Sequence, residues 1–75
     1  MNQAIAFNAG CTFKEVQEMK ERPLYLKHKS GVKFQFVAEF EQPFTNKRFV
    51  KLLNLKSEKI ECFMASTYKA FFKTN

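Results

Sequence analysis

The sequence predicts an α+β fold with an N-terminal helix, four antiparallel strands that form a curled sheet or small barrel, and a short C-terminal helix. Three observations support this prediction: a helix-capping motif ahead of residues 13–22, strict apolar and polar alternation over residues 32–40, and two further apolar segments, 48–55 and 60–64. A chain of 75 residues is enough for one domain. We therefore expect a single small domain over residues 1–75, with residues 1–10 as a flexible or edge-strand segment.

The first predicted element is a helix over residues 13–22. Thr12 can cap its N-terminus, and Glu15 completes a Thr-x-x-Glu capping box. Its apolar face consists of Phe13, Val16 and Met19. Pro23 directly follows and cannot continue the helix.

Residues 24–28 and 32–40 are predicted to form a hairpin. In the second strand Val32, Phe34, Phe36, Ala38 and Phe40 share one face, and Lys33, Gln35, Val37 and Glu39 share the other. A three-residue loop, 29–31, pairs Leu26 with Phe34 and keeps apolar residues together on one face. It also places Gly31 at the position where such a loop needs a left-handed residue.

Residues 46–55 are compatible with two structures. Helical periodicity would group Lys47, Arg48, Lys51 and Asn54 on one face, whereas a strand over 48–55 would form a second hairpin with residues 60–64. The strand gives the order α-β-β-β-β-α, in which a short helix capped by Ser66 carries Tyr68, Phe71 and Phe72. The helix, with residues 4–7 as a first strand, gives the alternative order β-α-β-β-α-β of a ferredoxin-like sandwich.

The charge distribution favours an anionic partner. The chain carries 13 basic and seven acidic residues, for a net charge of +6, and no acidic residue lies between Pro23 and Ala38. The predicted outer face and tip of the first hairpin, together with a second basic cluster, give the candidate binding residues: Tyr25, Lys27, Lys29, Lys33, Gln35, Lys47, Arg48 and Lys51.

Other chemistry is poorly represented in the sequence. Cys11, His28 and Cys62 are widely spaced and include no Cys-x-x-Cys pair, so we expect no metal, no cofactor and free buried thiols. No serine or cysteine nucleophile has a base and an orienting acid at a recognisable spacing, and we therefore expect a protein that is not an enzyme. The absence of an apolar run of about 18 residues and of a basic leader predicts a cytoplasmic protein without a membrane partner.

Residues 28–73 resemble small SH3-like domains of bacterial and phage accessory proteins. The resemblance rests on a His-x-x-Gly hairpin at 28–31, the aromatic strand at 34–37, the apolar strand at 49–55 and Ala-Phe-Phe-Lys at 70–73. It implies an SH3-like barrel and a viral or mobile-element accessory role, such as inhibition of a host defence system in the host cytoplasm. Residues 31–37 also resemble the inner strand of the RNA recognition motif, which would imply the ferredoxin-like alternative.

These observations together predict a small binding protein that docks a basic surface onto nucleic acid or a nucleoprotein complex. Two alternatives remain at this stage. One is a protein-protein interaction module or homodimer that acts without nucleic acid, and the other is a protein that sequesters a nucleotide.

Overall fold

The computed structural model describes residues 3–74, which form two short helices and a five-stranded antiparallel sheet. The elements are α1 (Gln3–Asn8), α2 (Phe13–Glu21), β1 (Tyr25–His28), β2 (Lys33–Glu41), β3 (Arg48–Asn54), β4 (Lys59–Met64), a 3-10 turn (Tyr68–Ala70) and β5 (Phe72–Thr74). The strand order is β4-β3-β2-β1-β5, so the fifth strand returns to pair with the first. The α+β prediction is confirmed, but the predicted count of four strands is wrong.

Helix α1 forms where an edge strand or first strand was predicted. Residues 1 and 2 of the predicted segment 1–10 lie outside the described residues. Ala6 is fully buried in the core, and the chain reverses at Gly10, whose φ is +99°. The N–H groups of Gly10 and Cys11 donate to the carbonyls of Phe7 and Ala6, at 3.0 and 3.1 Å. This pair of bonds is a Schellman motif, and its left-handed glycine is the sequence signal for the end of a helix.

Helix α2 confirms the predicted capping box. The Thr12 N–H donates to Glu15 Oε1 at 2.8 Å, and the Glu15 N–H donates to Thr12 Oγ1 at 3.2 Å. Val16 and Met19 are buried as predicted. Phe13 is 74% exposed and stacks on Phe7 at the surface, so its assignment to the buried face is wrong.

The first hairpin has the predicted register, with Leu26 opposite Phe34 and Gly31 at φ +97°. The alternation of β2 holds through Val37, but a bulge between Phe36 and Ala38 shifts the pairing with β3, so that Ala38 packs on the helix side instead of with Phe34 and Phe36. Val37 lies on the predicted face with Gln35, but α2 covers this face, and Val37 is buried there with Met19.

Residues 48–54 form a strand, which rules out the ferredoxin-like alternative. The predicted C-terminal helix is also wrong, because only a single 3-10 turn precedes β5. Phe72 explains the difference: as part of a strand paired with β1, its side chain enters the core and is only 6% exposed.

Each face of the sheet carries a hydrophobic core. The helices cover one face, where Ala6, Cys11, Val16, Met19, Val37 and Leu53 form a core. The second core lies inside the curl of the sheet and contains Leu26, Phe34, Val50, Leu52 and Phe72. The rings of Phe63 on β4 and Phe72 on β5 are 5.1 Å apart although these strands are the two edges of the sheet, which shows how strongly the sheet curls.

Within residues 3–74 no helix is both long and apolar enough to cross a membrane. The prediction of buried thiols is correct for Cys11 and wrong for Cys62, which lies exposed on the edge strand β4. Burial is the main factor that raises the pKa of the Cys11 thiol, and the charge of Glu15 adds to it while Lys51 opposes it.

Candidate nucleic-acid interface

The pairing of β5 with β1 places three lysines side by side across the sheet. Lys27 on β1 lies opposite Lys33 on β2 and opposite Lys73 on β5. Residues directly opposite each other on antiparallel strands point to the same side, with Cβ atoms about 4.5–5.5 Å apart. All three side chains are exposed and carry like charges, an arrangement that is unfavourable for the sheet itself.

Two more exposed lysines lie close to this row, Lys29 in the hairpin loop and Lys69 in the 3-10 turn. We call the five lysines at positions 27, 29, 33, 69 and 73 the basic edge. None of them forms an ion pair within residues 3–74. The other eight basic residues nearly balance the seven glutamates, so almost all of the net charge of +6 comes from the basic edge.

A shallow cavity of about 340 Å³ lies between β1, the 3-10 turn and β5. Its lining consists of Lys27, His28, Lys29, Lys69, Ala70, Phe71, Phe72 and Lys73. Four of these residues are lysines and none is acidic, so the cavity is suited to an anionic group.

The two adjacent phenylalanines of the chain have different roles at this cavity. Phe72 packs edge-on against His28 and Phe34, with ring centroids 5.0 Å away in both cases. Phe71 is 44% exposed, and the ammonium of Lys29 lies 4.9 Å from its ring centroid. The Lys29 N–H also donates to the Phe71 carbonyl at 2.9 Å, which fixes the hairpin loop to the segment that carries the exposed ring.

His28 also lines the cavity, and contacts with Ser30 of the hairpin loop hold its ring in place. Its Nδ1 accepts a hydrogen bond from the Ser30 N–H at 3.1 Å and lies 2.8 Å from Ser30 Oγ. Because Nδ1 is an acceptor, the neutral ring carries its proton on Nε2. The imidazole is thus a fixed, half-buried part of the cavity wall.

Four of the residues predicted for the first hairpin lie on or beside the basic edge, and the fifth lies on the same face opposite Tyr25 but is buried. Lys27, Lys29 and Lys33 belong to the basic edge, and Tyr25 is half-buried on the same face of β1 as Lys27. Gln35 is fully buried, so its predicted exposure is wrong. Its Nε2 donates to the Met19 carbonyl at 3.3 Å, because α2 covers this part of the sheet.

The second predicted cluster does not form. Arg48 pairs with Glu39 at 2.7 Å and with Glu41 at 3.8 Å. The hydrogen bond to Glu39, followed by the charge of the same residue, raises the pKa of the Arg48 guanidinium. Lys47 is exposed just before β3 and forms no ion pair within the described part of the chain.

Lys51 points to the helix side of β3, where its Nζ lies 3.3 Å from Glu15 Oε2. Partial burial raises the pKa of Glu15, but hydrogen bonds from Thr12 and Lys51 and the charge of Lys51 outweigh it, so that the pKa is lowered. We call Arg48 and Lys51 the paired cations. Both carry a charge that neighbouring carboxylates largely neutralise.

Sequence reasoning missed Lys69, Phe71 and Lys73. Because a C-terminal helix was predicted, the pairing of Lys73 with Lys27 was not expected. The two residues are 46 positions apart in the chain. One signal was present in the sequence: no acidic residue follows Glu61.

Among residues 3–74 no three His, Cys, Asp or Glu side chains lie close enough together to hold a metal ion. Comparison of the chain with known protein families, curated protein sequences and solved structures gives no match.

Proposed function

We propose that the protein is a non-enzymatic nucleic-acid-binding protein that uses the basic edge as its binding surface. The observation that carries this proposal is the group of five exposed lysines, none of which forms an ion pair with a glutamate among residues 3–74. Phosphate groups supply most of the affinity of proteins for nucleic acids, and lysine ammonium groups are common partners for them.

The spacing of the lysine row supports a phosphate backbone as the ligand. Lys33, Lys27 and Lys73 lie on neighbouring strands, about 4.8 Å apart along the row. Long side chains at this spacing can contact successive phosphates of one strand. The repulsion among the three ammonium groups is relieved when phosphates lie between them, so the ligand gains affinity from a feature that is unfavourable in the free protein.

The proposed fold is SH3-like, and the strand order supports it. Four strands follow one another in a meander, and after a 3-10 turn the fifth strand pairs with the first. The resemblance to phage accessory domains adds the proposed biological role, in which the protein occupies nucleic acid or a nucleoprotein complex of a host defence system in the host cytoplasm.

The test is fluorescence anisotropy with labelled DNA and RNA at several salt concentrations. If each lysine of the basic edge meets one phosphate, the slope of log K against log[salt] will be about −3 to −5. Replacing Lys27, Lys33 and Lys73 by alanine should make the slope shallower by about 3 and weaken binding more than about tenfold at low salt.

A matched variant replaces Lys14, Lys20 and Lys59 by alanine. These lysines are also exposed and unpaired among the described residues, so this variant loses the same charge elsewhere. It should retain most of the affinity. Equal losses in the two variants would mean that net charge alone is responsible, and no binding at low salt would refute the proposal.

A second candidate function is a protein-interaction module that uses the sheet edge at β4. Within residues 3–74 strand β4 pairs with β3 alone, and its Met64 is markedly exposed. Exposed edge strands can pair with another chain. Light scattering that shows a salt-insensitive dimer, together with no nucleic-acid binding, would favour this candidate.

A further inference from the structure

We infer that the basic edge selects single-stranded nucleic acid and that one unstacked base lies on the ring of Phe71 within the cavity. This inference rests on the proposed function and specifies its ligand.

Phe71 differs from the other strongly exposed phenylalanines. Phe44 is 97% exposed in the turn after β2 and does not line the cavity. Phe13 stacks on Phe7. Phe71 lines the cavity together with four lysines of the basic edge, whereas Phe7, Phe13 and Phe44 do not line it. Proteins that bind single strands combine these two features, a basic track for the phosphates and an aromatic ring for a base.

The backbone of Phe71 is held in place before any ligand binds. Its N–H donates to the Tyr68 carbonyl at 3.0 Å, and its carbonyl accepts from the Lys29 N–H at 2.9 Å. The next residue, Phe72, is anchored in the core. The segment that carries the ring therefore loses little conformational entropy when a base stacks on it, which favours affinity.

The cavity has room for a base beside the ring. Its volume of about 340 Å³ lies within the range of about 300–1,000 Å³ that is usual for small-ligand sites. The ammonium of Lys29 lies over the ring in the free protein, and its long side chain can turn to a phosphate when a base takes its place. A base inside a duplex is stacked on both faces and cannot reach the ring, so the cavity distinguishes single strands from duplexes.

The test measures binding of a labelled thymidine oligonucleotide of about 12 nucleotides and of a duplex of equal length, at equal salt. Phe71→Ala should weaken single-strand binding by about 5- to 150-fold and leave duplex binding nearly unchanged. Phe71→Trp should retain or improve single-strand binding because tryptophan keeps a stacking surface. Phe44→Ala removes an exposed ring elsewhere and should have no effect on either ligand.

The outcomes separate this inference from the function on which it rests. Salt-dependent binding of both ligands that Phe71→Ala leaves unchanged would overturn the inference and retain nucleic-acid binding. Tighter binding of the duplex than of the single strand would also overturn it. Binding of neither ligand would overturn both statements. Circular dichroism and thermal unfolding of each variant show whether the fold is intact, and the tryptophan variant tests the ring if the alanine variant unfolds.

Discussion

The basic edge and the paired cations contain the same kinds of side chain on the same sheet, but their electrostatics differ. Arg48 and Lys51 each lie within 3.3 Å of a glutamate oxygen. The lysines of the basic edge have no such partner within residues 3–74. In the sequence the two groups look equally basic, and the difference becomes visible only when the acidic residues are placed in space.

This comparison shows that the number of basic residues is a weaker indicator of a binding surface than the absence of acidic partners. A paired cation on the surface contributes little to long-range attraction, because the nearby carboxylate cancels its field. An unpaired row of lysines attracts anions and also works against its own fold. The following predictions test this difference, starting with the largest expected effect.

Gln35→Glu tests whether the exposed surface that carries the basic edge extends along β2 to position 35. Gln35 lies two positions after Lys33 on the same strand, but it is fully buried under α2. A carboxylate there loses its hydration, and we expect the free energy of unfolding to fall by about 3–5 kcal/mol. Urea unfolding at neutral pH measures this loss.

Gln42→Glu is the control, since Gln42 is exposed in the turn after β2 and should tolerate the change. Part of the stability of Gln35→Glu should return in acid, where a buried glutamate is neutral. A Gln35→Glu variant as stable as the control would mean that the basic edge extends to this position.

Lys27→Glu tests the repulsion within the lysine row. The substitution converts the two unfavourable lysine pairs that residue 27 makes with Lys33 and Lys73 into two favourable glutamate–lysine pairs. We expect the free energy of unfolding to rise by about 0.5–2 kcal/mol while nucleic-acid binding weakens. Urea unfolding and anisotropy on the same sample measure both effects.

Lys59→Glu makes the same substitution at an exposed strand position opposite Asn54, where no lysine faces it. It should not increase stability. The advantage of Lys27→Glu should also shrink at high salt, which screens surface charges. A destabilised Lys27→Glu variant would contradict the assignment of repulsion to this row.

Glu15→Gln tests the paired cation Lys51. Glutamine retains the capping bond to Thr12 but removes the charge that pairs with Lys51, and we expect a loss of about 1 kcal/mol at neutral pH. Because the pKa of Glu15 is lowered in the folded protein, its contribution is present above the pKa of an unfolded glutamate, about 4.3. It is lost as the pH falls through the lower folded value.

Unfolding of both proteins from neutral to acidic pH should therefore show a difference that disappears in acid. A difference that persists unchanged at low pH would show that the carboxylate charge is not its cause.

Glu39→Gln with Glu41→Gln tests the paired cation Arg48 and should have the smallest effect. Exposed ion pairs contribute about 0–1 kcal/mol, so stability should change by less than about 1 kcal/mol. Nucleic-acid affinity should rise only slightly, because the freed arginine lies outside the basic edge. If this change restored binding to the variant that lacks Lys27, Lys33 and Lys73, the two regions would not be functionally distinct.

The features that the sequence predicted correctly are local ones. The capping box of α2 and the register of the first hairpin each depend on residues a few positions apart, and both were confirmed. The choice of a strand for residues 48–55 depended on the neighbouring segment 60–64 and was correct for Arg48–Asn54.

The features that were missed depend on distant contacts. The bulge between Phe36 and Ala38 shifts the pairing of β2 with the distant strand β3, and no residue in the segment indicates it. The burial of Gln35 follows from the position of α2 across the sheet. The pairing of Lys73 with Lys27 requires a strand at residues 72–74, a segment that helical periodicity described equally well. Three of the five lysines of the basic edge could therefore be predicted from the first hairpin, and the other two required the fold.

The pairing of β5 with β1 has a thermodynamic consequence. Lys73 faces Lys27 only while this three-residue strand is docked, so an anion that contacts both lysines binds only the docked form. By thermodynamic linkage, docking of β5 raises the affinity for the anion by the same factor by which the bound anion shifts the equilibrium of β5 towards the docked form. Occupancy of the surface is thereby coupled to local order, and slower amide hydrogen exchange in β5 would report that a polyanion is bound.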